Sequence, residues 1–195
     1  RAAIRKHLEP VANIAHDRLG SIIGVKKGSA ESPRVVVAGH MDEVGFMVSM
    51  ITDDGFIRFV PLGGWWNQVM LGQRVVIKTS SGDVPGLIGA KPPHLMEADE
   101  AKKLVEKKDM YIDIGASSAD QVKSCGVRLG DPILAVSPFT MLASGKTYMA
   151  KAWDDRLGCA LFIQLLERLA KGDHPNTLYG IGTVQEEVGT RGAKT

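Results

Sequence analysis

The chain has 195 residues, 44% of them hydrophobic and 24% charged, with a formal net charge of +2. That length and composition allow one large domain or two small ones with a real core. The near-neutral balance gives no electrostatic case for nucleic acid or a membrane surface, no apolar run approaches the ~18 residues of a membrane span, and the charged start, Arg1 to Glu9, lacks an apolar signal core.

A cytoplasmic protein is therefore expected. Cys125 and Cys159, only two and far apart, are expected to be free buried thiols in a reducing compartment. Arg1 to Leu8 reads as the second half of an amphipathic helix with no start signal. The last residues, Arg191 to Thr195, follow directly on a motif, so a fragment is expected. Val35-Val36-Val37-Ala38-Gly39 is a short apolar run and predicts a fully buried strand of a mostly parallel sheet, ending at His40.

From about Phe46 to Tyr148 the pattern changes to short β-like runs: Phe46–Ile51, Phe56–Val60, Arg74–Lys78 and Met110–Asp113. Asp54-Gly55 and Ser81-Gly82 punctuate them as turns. Short helices are expected near Glu97–Lys107 and at Ser118–Lys123, the latter opened by the capping box Ser118-Ala119-Asp120-Gln121. These features predict a small β-barrel or sandwich, residues 46–148, inserted into an α/β domain made of residues 1–45 and 149–195. Leu157–Leu169 then predicts the main helix, with an apolar stripe of Leu161, Phe162, Leu165, Leu166 and Leu169. Thr177–Val184 predicts a second buried strand. An α/β fold of this kind collects its polar site at the carboxyl ends of its strands.

Three polar clusters lie at such ends. His40 closes the first strand, and Asp42, two residues on, shares its face in extended backbone and can orient the imidazole. Asp154 precedes the long helix and alone would read as a helix cap, but the adjacent Asp155 makes that incomplete, since one cap needs one acid. Glu186 and Glu187 follow the second strand. Neighbouring carboxylates repel, and a bound cation relieves the repulsion. The set of His, Asp and Glu suits one or two divalent metal ions, and the glutamate pair offers one carboxylate for metal and one for proton transfer. His94, in the proline-bounded loop Lys91–Met96, reads as structural or as an oligomer contact. His7, His16 and His174 read as surface residues, and no Walker-type phosphate loop is present.

The chain resembles the tetrahedral, self-compartmentalising metallo-aminopeptidases, the family of glutamyl and deblocking aminopeptidases. The resemblance is carried by Gly39-His40-Met41-Asp42-Glu43-Val44-Gly45, Gly63-Gly64-Trp65, Lys91-Pro92-Pro93-His94-Leu95, Lys151-Ala152-Trp153-Asp154-Asp155-Arg156 and Val184-Gln185-Glu186-Glu187-Val188-Gly189-Thr190-Arg191-Gly192-Ala193. It implies a zinc-peptidase-like fold and a hydrolase with two divalent metal ions per subunit, zinc or cobalt. His40 and Glu187 would each bind a metal, and Asp154 would bridge the two. Asp42 would orient His40, and Glu186 would be the general base. Two further ligands of the family pattern, an Asp and a His, would lie beyond Thr195. Peptides are the implied substrates, and the β insert would mediate assembly through dimers into a homo-oligomer, commonly a dodecamer. Two alternatives stand beside the aminopeptidase: another two-metal hydrolase (a carboxypeptidase or deacylase), and a catalytically silent assembly scaffold.

Overall fold

A computed structural model describes residues 1–99 and 101–195. The chain forms two compact units, one from Arg1–Glu43 and Ala152–Thr195, the other from Val44–Lys151.

The first unit begins with helix α1 (Ala2–Leu8) and strands β1 (Asn13–His16), β2 (Ile22–Lys26) and β3 (Val35–His40). The second contains β4 (Gly45–Ile51), β5 (Ile57–Leu62), β6 (Arg74–Thr79), β7 (Gly82–Gly89), β8 (Tyr111–Asp113), α2 (Ala119–Ser124), β9 (Pro132–Ala135), and a hairpin of β10 (Thr140–Met141) and β11 (Tyr148–Met149). The chain then returns to the first unit with α3 (Trp153–Leu169) and β12 (Leu178–Thr183).

The first unit is a four-stranded sheet in the order β1-β2-β12-β3. The expectation of a mostly parallel sheet is corrected here. Only β3 and β12 run parallel, while β2 is antiparallel to both β1 and β12. The short connection from β1 to β2 permits only an antiparallel pair, because parallel neighbours need a long crossover. Helices α1 and α3 pack on one sheet face, where Ile4, Leu8, Ile22, Cys159, Phe162, Leu166 and Leu178 form the core. The buried line of α3 is Cys159, Phe162 and Leu166, spaced three and four apart as a helix requires. Leu161, expected in that stripe, is exposed.

Strand β3 also departs from expectation. It lies at the edge of the sheet, and Val35 and Val36 are exposed rather than buried. An apolar run reports a preference for burial, and among the described residues only β12 pairs with this strand.

The second unit is a closed barrel in the order β4-β5-β8-β7-β6-β9. Its core alternates along each strand: Phe46 and Val48, Ile57 and Phe59, Val75 and Ile77, joined by Ile88, Ile112 and Ile133. Closure removes the exposed edges that short strands would otherwise present. Trp65 stacks on Phe46 at 4.5 Å, and its indole N–H donates to the Gly45 carbonyl at 3.0 Å. Ser118 caps α2 by accepting from Gln121 N–H at 3.2 Å. The helix expected near Glu97–Lys107 includes Glu100, which lies outside the described residues. Around it the chain makes turns and a single 3-10 turn at Lys107–Asp109. Both cysteines are free, but Cys125 is exposed and only Cys159 is buried.

One close approach fixes the first unit's geometry. A Cβ on Gly39 would stand 2.6 Å from Cys159 N and 2.7 Å from Gly158 C. Only a hydrogen there lets the end of β3 press against the first turn of α3. Gly39→Ala must therefore push strand and helix apart. It is expected to lower the unfolding free energy by about 1–3 kcal/mol, as other overpacked sites do, measured by chemical denaturation; an unchanged midpoint would show that the approach is relaxed in solution.

Candidate metal centre

His40 is the last residue of β3, and Thr183, the last of β12, is its partner in the parallel register. Met41 N–H extends the ladder one step by donating to the Thr183 carbonyl at 2.9 Å. The two carboxyl ends are thus side by side. From one leaves Met41-Asp42-Glu43, from the other Gln185-Glu186-Glu187, and the start of α3 supplies Asp154 and Asp155.

The first turn of α3 separates these two acids. Asp155 Oδ1 accepts from Gly158 N–H at 2.8 Å, which makes Asp155 the side-chain cap three residues ahead of its donor. Asp154 has extended backbone (φ −84°, ψ 110°) and is free of that duty. Its Oδ1 sits 3.0 Å from His40 Nε2. The other ring nitrogen, Nδ1, lies 3.1 Å from the Asp42 carbonyl oxygen and 3.7 Å from Asp42 Oδ1. Glu186 Oε2 is 3.8 Å from Nε2.

The glutamate loop is held by backbone. Gln185 turns it with φ of 55°, and Gly189, with φ of 115°, accommodates its return. Gly192 N–H donates to the Val184 carbonyl at 3.0 Å, where a Cβ on Gly192 would meet that oxygen at 2.4 Å. The result brings ligand atoms of His40, Glu186 and Glu187 within 4.8 Å of one another, the one such group among the described residues. Asp154 joins it through His40 rather than as a member of that trio. Of the expected site residues, then, His40, Glu186 and Glu187 converge directly. Asp154 and Asp42 flank the imidazole on its two sides.

Electrostatics fit this crowding. Burial works against the charged form of His40. The Asp154 hydrogen bond, the Asp42 carbonyl and the Asp42 and Glu186 charges outweigh it and raise the pKa above the ordinary histidine value. Glu187 is pushed up by burial; His40 opposes the shift, while the neighbouring Glu186, Asp154 and Asp42 add to it. The His40 shift reflects the negative charge gathered around the imidazole, while the Glu187 shift is led by burial. One imidazole with several carboxylate oxygens is a donor set for a borderline or hard divalent cation, so the residues present fit such an ion.

Two residues without an assigned role in the sequence also act here. Arg156 Nη2 donates to Glu43 Oε1 at 3.1 Å and Nε to the Met41 carbonyl at 3.4 Å, tying the His40 loop to α3. Both residues lie in the polar clusters, and their opposite charges were the available signal. His94 sits in the 3-10 turn Pro93–Leu95 and is exposed. His7 pairs with Glu167 at 3.1 Å. His16 lies against Arg5, and His174 against the Asn176 carbonyl.

Comparison with known proteins gives this arrangement a class. Solved structures similar to the chain include aminopeptidases. A TET aminopeptidase from the marine sediment archaeon Thaumarchaeota archaeon SCGC AB-539-E09 matches at a TM-score of 0.95 with 49% identity, over 100% of this chain and 55% of its own. The TET1 peptidase of Pyrococcus horikoshii, which can assemble into a tetrahedron or a large octahedral shell, matches at 0.86 with 32% identity, over 100% of this chain and 57% of its own. The sequence pattern of M42 glutamyl aminopeptidase matches residues 20–195, and the chain belongs to that family. The glutamyl aminopeptidase of Lactococcus lactis subsp. cremoris (strain MG1363) is 42% identical over 181 residues, 91% of this chain and 51% of that protein. The chain spans about half the length of the curated relatives it matches. Among the described residues no helix is long and apolar enough to cross a membrane.

The raised His40 pKa has a consequence for stability without added cation. A histidine whose folded pKa lies above its unfolded value of about 6.5 stabilises the fold below that value. The contribution is lost as pH rises through the folded pKa. In chelator-treated protein the unfolding free energy is expected to fall over that window, and Asp154→Asn should shrink the fall by removing the hydrogen-bonded charge. A flat profile in the parent protein would contradict the charge imbalance inferred here.

Proposed function

We propose that the chain is the metal-binding part of an aminopeptidase that releases N-terminal residues from peptides. The observation that carries this is the meeting of His40, Glu186 and Glu187, with Asp154 beside His40, at the carboxyl ends of β3 and β12. The relatives' names support the substrate class. His40, Asp154 and Glu187 are assigned as metal ligands for two divalent ions per subunit, zinc or cobalt. When bound, such ions polarise a carbonyl and lower the pKa of water. Glu186 is assigned as the general base, holding on its carboxylate the proton taken from water and returning it to the leaving amine. The Asp42 carbonyl accepts from Nδ1–H of His40, which keeps Nε2 available as a donor of its lone pair.

Release of a proton by His40 and Glu187 must accompany cation binding, because both pKa values are raised. Affinity for zinc should therefore rise with pH through the weakly acidic and neutral range. Glu186→Gln is expected to keep metal but lower kcat by a factor on the order of 10² or more, whereas Glu187→Gln should lower metal occupancy. Elemental analysis beside kinetics on an amino-acid anilide separates the two. Normal turnover in both variants would refute the assignment, and an N-acylated anilide hydrolysed in preference to the free amine would point to a deacylase instead.

The barrel unit, residues 44–151, is assigned to self-association through dimers into a larger shell, as the assembled P. horikoshii relative suggests. The protein is further proposed to work in the cytoplasm. Solution scattering of the full-length protein is expected to give an oligomer of dimers, and a monomer would remove the assembly role.

A further inference from the structure

We propose that Asp42 is the positioning residue for the Glu186–Glu187 pair, acting on their backbone rather than only on His40. The inference rests on the reading of that pair as metal ligand and base. Asp42 Oδ1 accepts from Glu186 N–H at 3.1 Å, and Oδ2 accepts from Glu187 N–H at 3.1 Å. One carboxylate thus takes both consecutive amides of the residues whose side chains converge on His40. These amides need an acceptor. Strand β12 ends at Thr183, so the sheet ladder no longer supplies one. The left-handed Gln185, with φ of 55°, starts a turn from which successive N–H groups reach a single anion.

The contact with His40 is made differently. Nδ1 is nearer the Asp42 main-chain carbonyl, at 3.1 Å, than its Oδ1, at 3.7 Å. A side-chain substitution leaves that carbonyl in place. The two duties of Asp42 are therefore separable: its backbone serves the imidazole, and its carboxylate serves the glutamate loop. The partner residue lies 144 and 145 positions away in the chain, so this clamp also sets the loop from β12 against the loop from β3.

The test compares Asp42→Asn and Asp42→Ala in the full chain by amide hydrogen exchange resolved to single residues. Asp42→Ala is expected to speed exchange at both Glu186 and Glu187 by about tenfold or more, as loss of a charged acceptor would, with Val75 and Ile77 unchanged. Asp42→Asn keeps one acceptor oxygen and should expose one of the two amides, which also carries the test if the alanine variant does not fold. Zinc affinity should drop by roughly 10- to 100-fold, the usual effect of disturbing a ligand's support. Unchanged exchange at both amides in Asp42→Ala would overturn the proposal. So would a change confined to the His40 ring signals, which would mean that Asp42 acts through the imidazole alone. Faster exchange at Glu186 and Glu187 in a protein whose parent binds no zinc would leave the clamp standing and sink the metallo-aminopeptidase reading instead.

Discussion

The parallel pairing of β3 with β12 is the constraint on which the site depends. It sets His40 opposite Thr183, and so brings together segments separated by more than a hundred residues. Parallel strands cannot be joined tightly, and closing a long flexible loop costs conformational entropy. The connection here is not a flexible loop. Residues 44–151 form a compact unit with a core of their own, so most of the intervening chain is ordered by its own burial. What remains is the local fit of β3 to α3, and Gly39 meets it by allowing backbone contact with Gly158 and Cys159.

The crowded acids sort by what already neutralises them. Asp155 caps α3 through Gly158 N–H, Glu43 is paired with Arg156, and Asp42 accepts two backbone amides. Each of these carboxylates has a fixed donor whose loss would strand a part-buried charge. Asp154, Glu186 and Glu187 face the imidazole instead. A fold that ties three acids to structural donors and leaves three around one histidine has concentrated negative charge where a cation can relieve it. The raised pKa of His40 reflects the same concentration of charge, and burial adds to the cost of an ionised Glu187.

Much of this was legible in the chain because apolar runs followed by acids mark strand and helix ends whatever their partners. His40, Asp154 and the glutamate pair could be picked out that way. The short β-like runs and their turns likewise marked a β insert, a barrel or a sandwich, which the structure closes as a barrel. Strand direction was not legible. Periodicity records which side chain is buried, not which way a neighbour runs, so β1 and β2 made the sheet mixed without any contrary signal. The edge position of β3 was hidden for the same reason, since Val35-Val36-Val37 looks alike in the middle of a sheet or at its margin. Nor could the sequence say which of Asp154 and Asp155 would cap the helix. That depends on the backbone at Asp154, which is extended and leaves Asp155 to accept from Gly158 N–H.

The two adjacent glutamates show how one loop can give like residues unlike chemistry. Their amides are held in register by one carboxylate, so both side chains leave a common, fixed base and meet at His40. Glu187 reaches surroundings dry enough to raise its pKa. There a carboxylate gains most from a cation, because desolvation strengthens the attraction that replaces its lost water. Glu186 stays partly exposed, its side chain 38% accessible, and it lies 3.8 Å from His40 Nε2. A carboxylate that keeps contact with water can take and return a proton without being locked to an ion. Both glutamates are half-buried, so the division of labour proposed for the pair rests on their places around His40, which the turn at Gln185 and the Asp42 clamp hold.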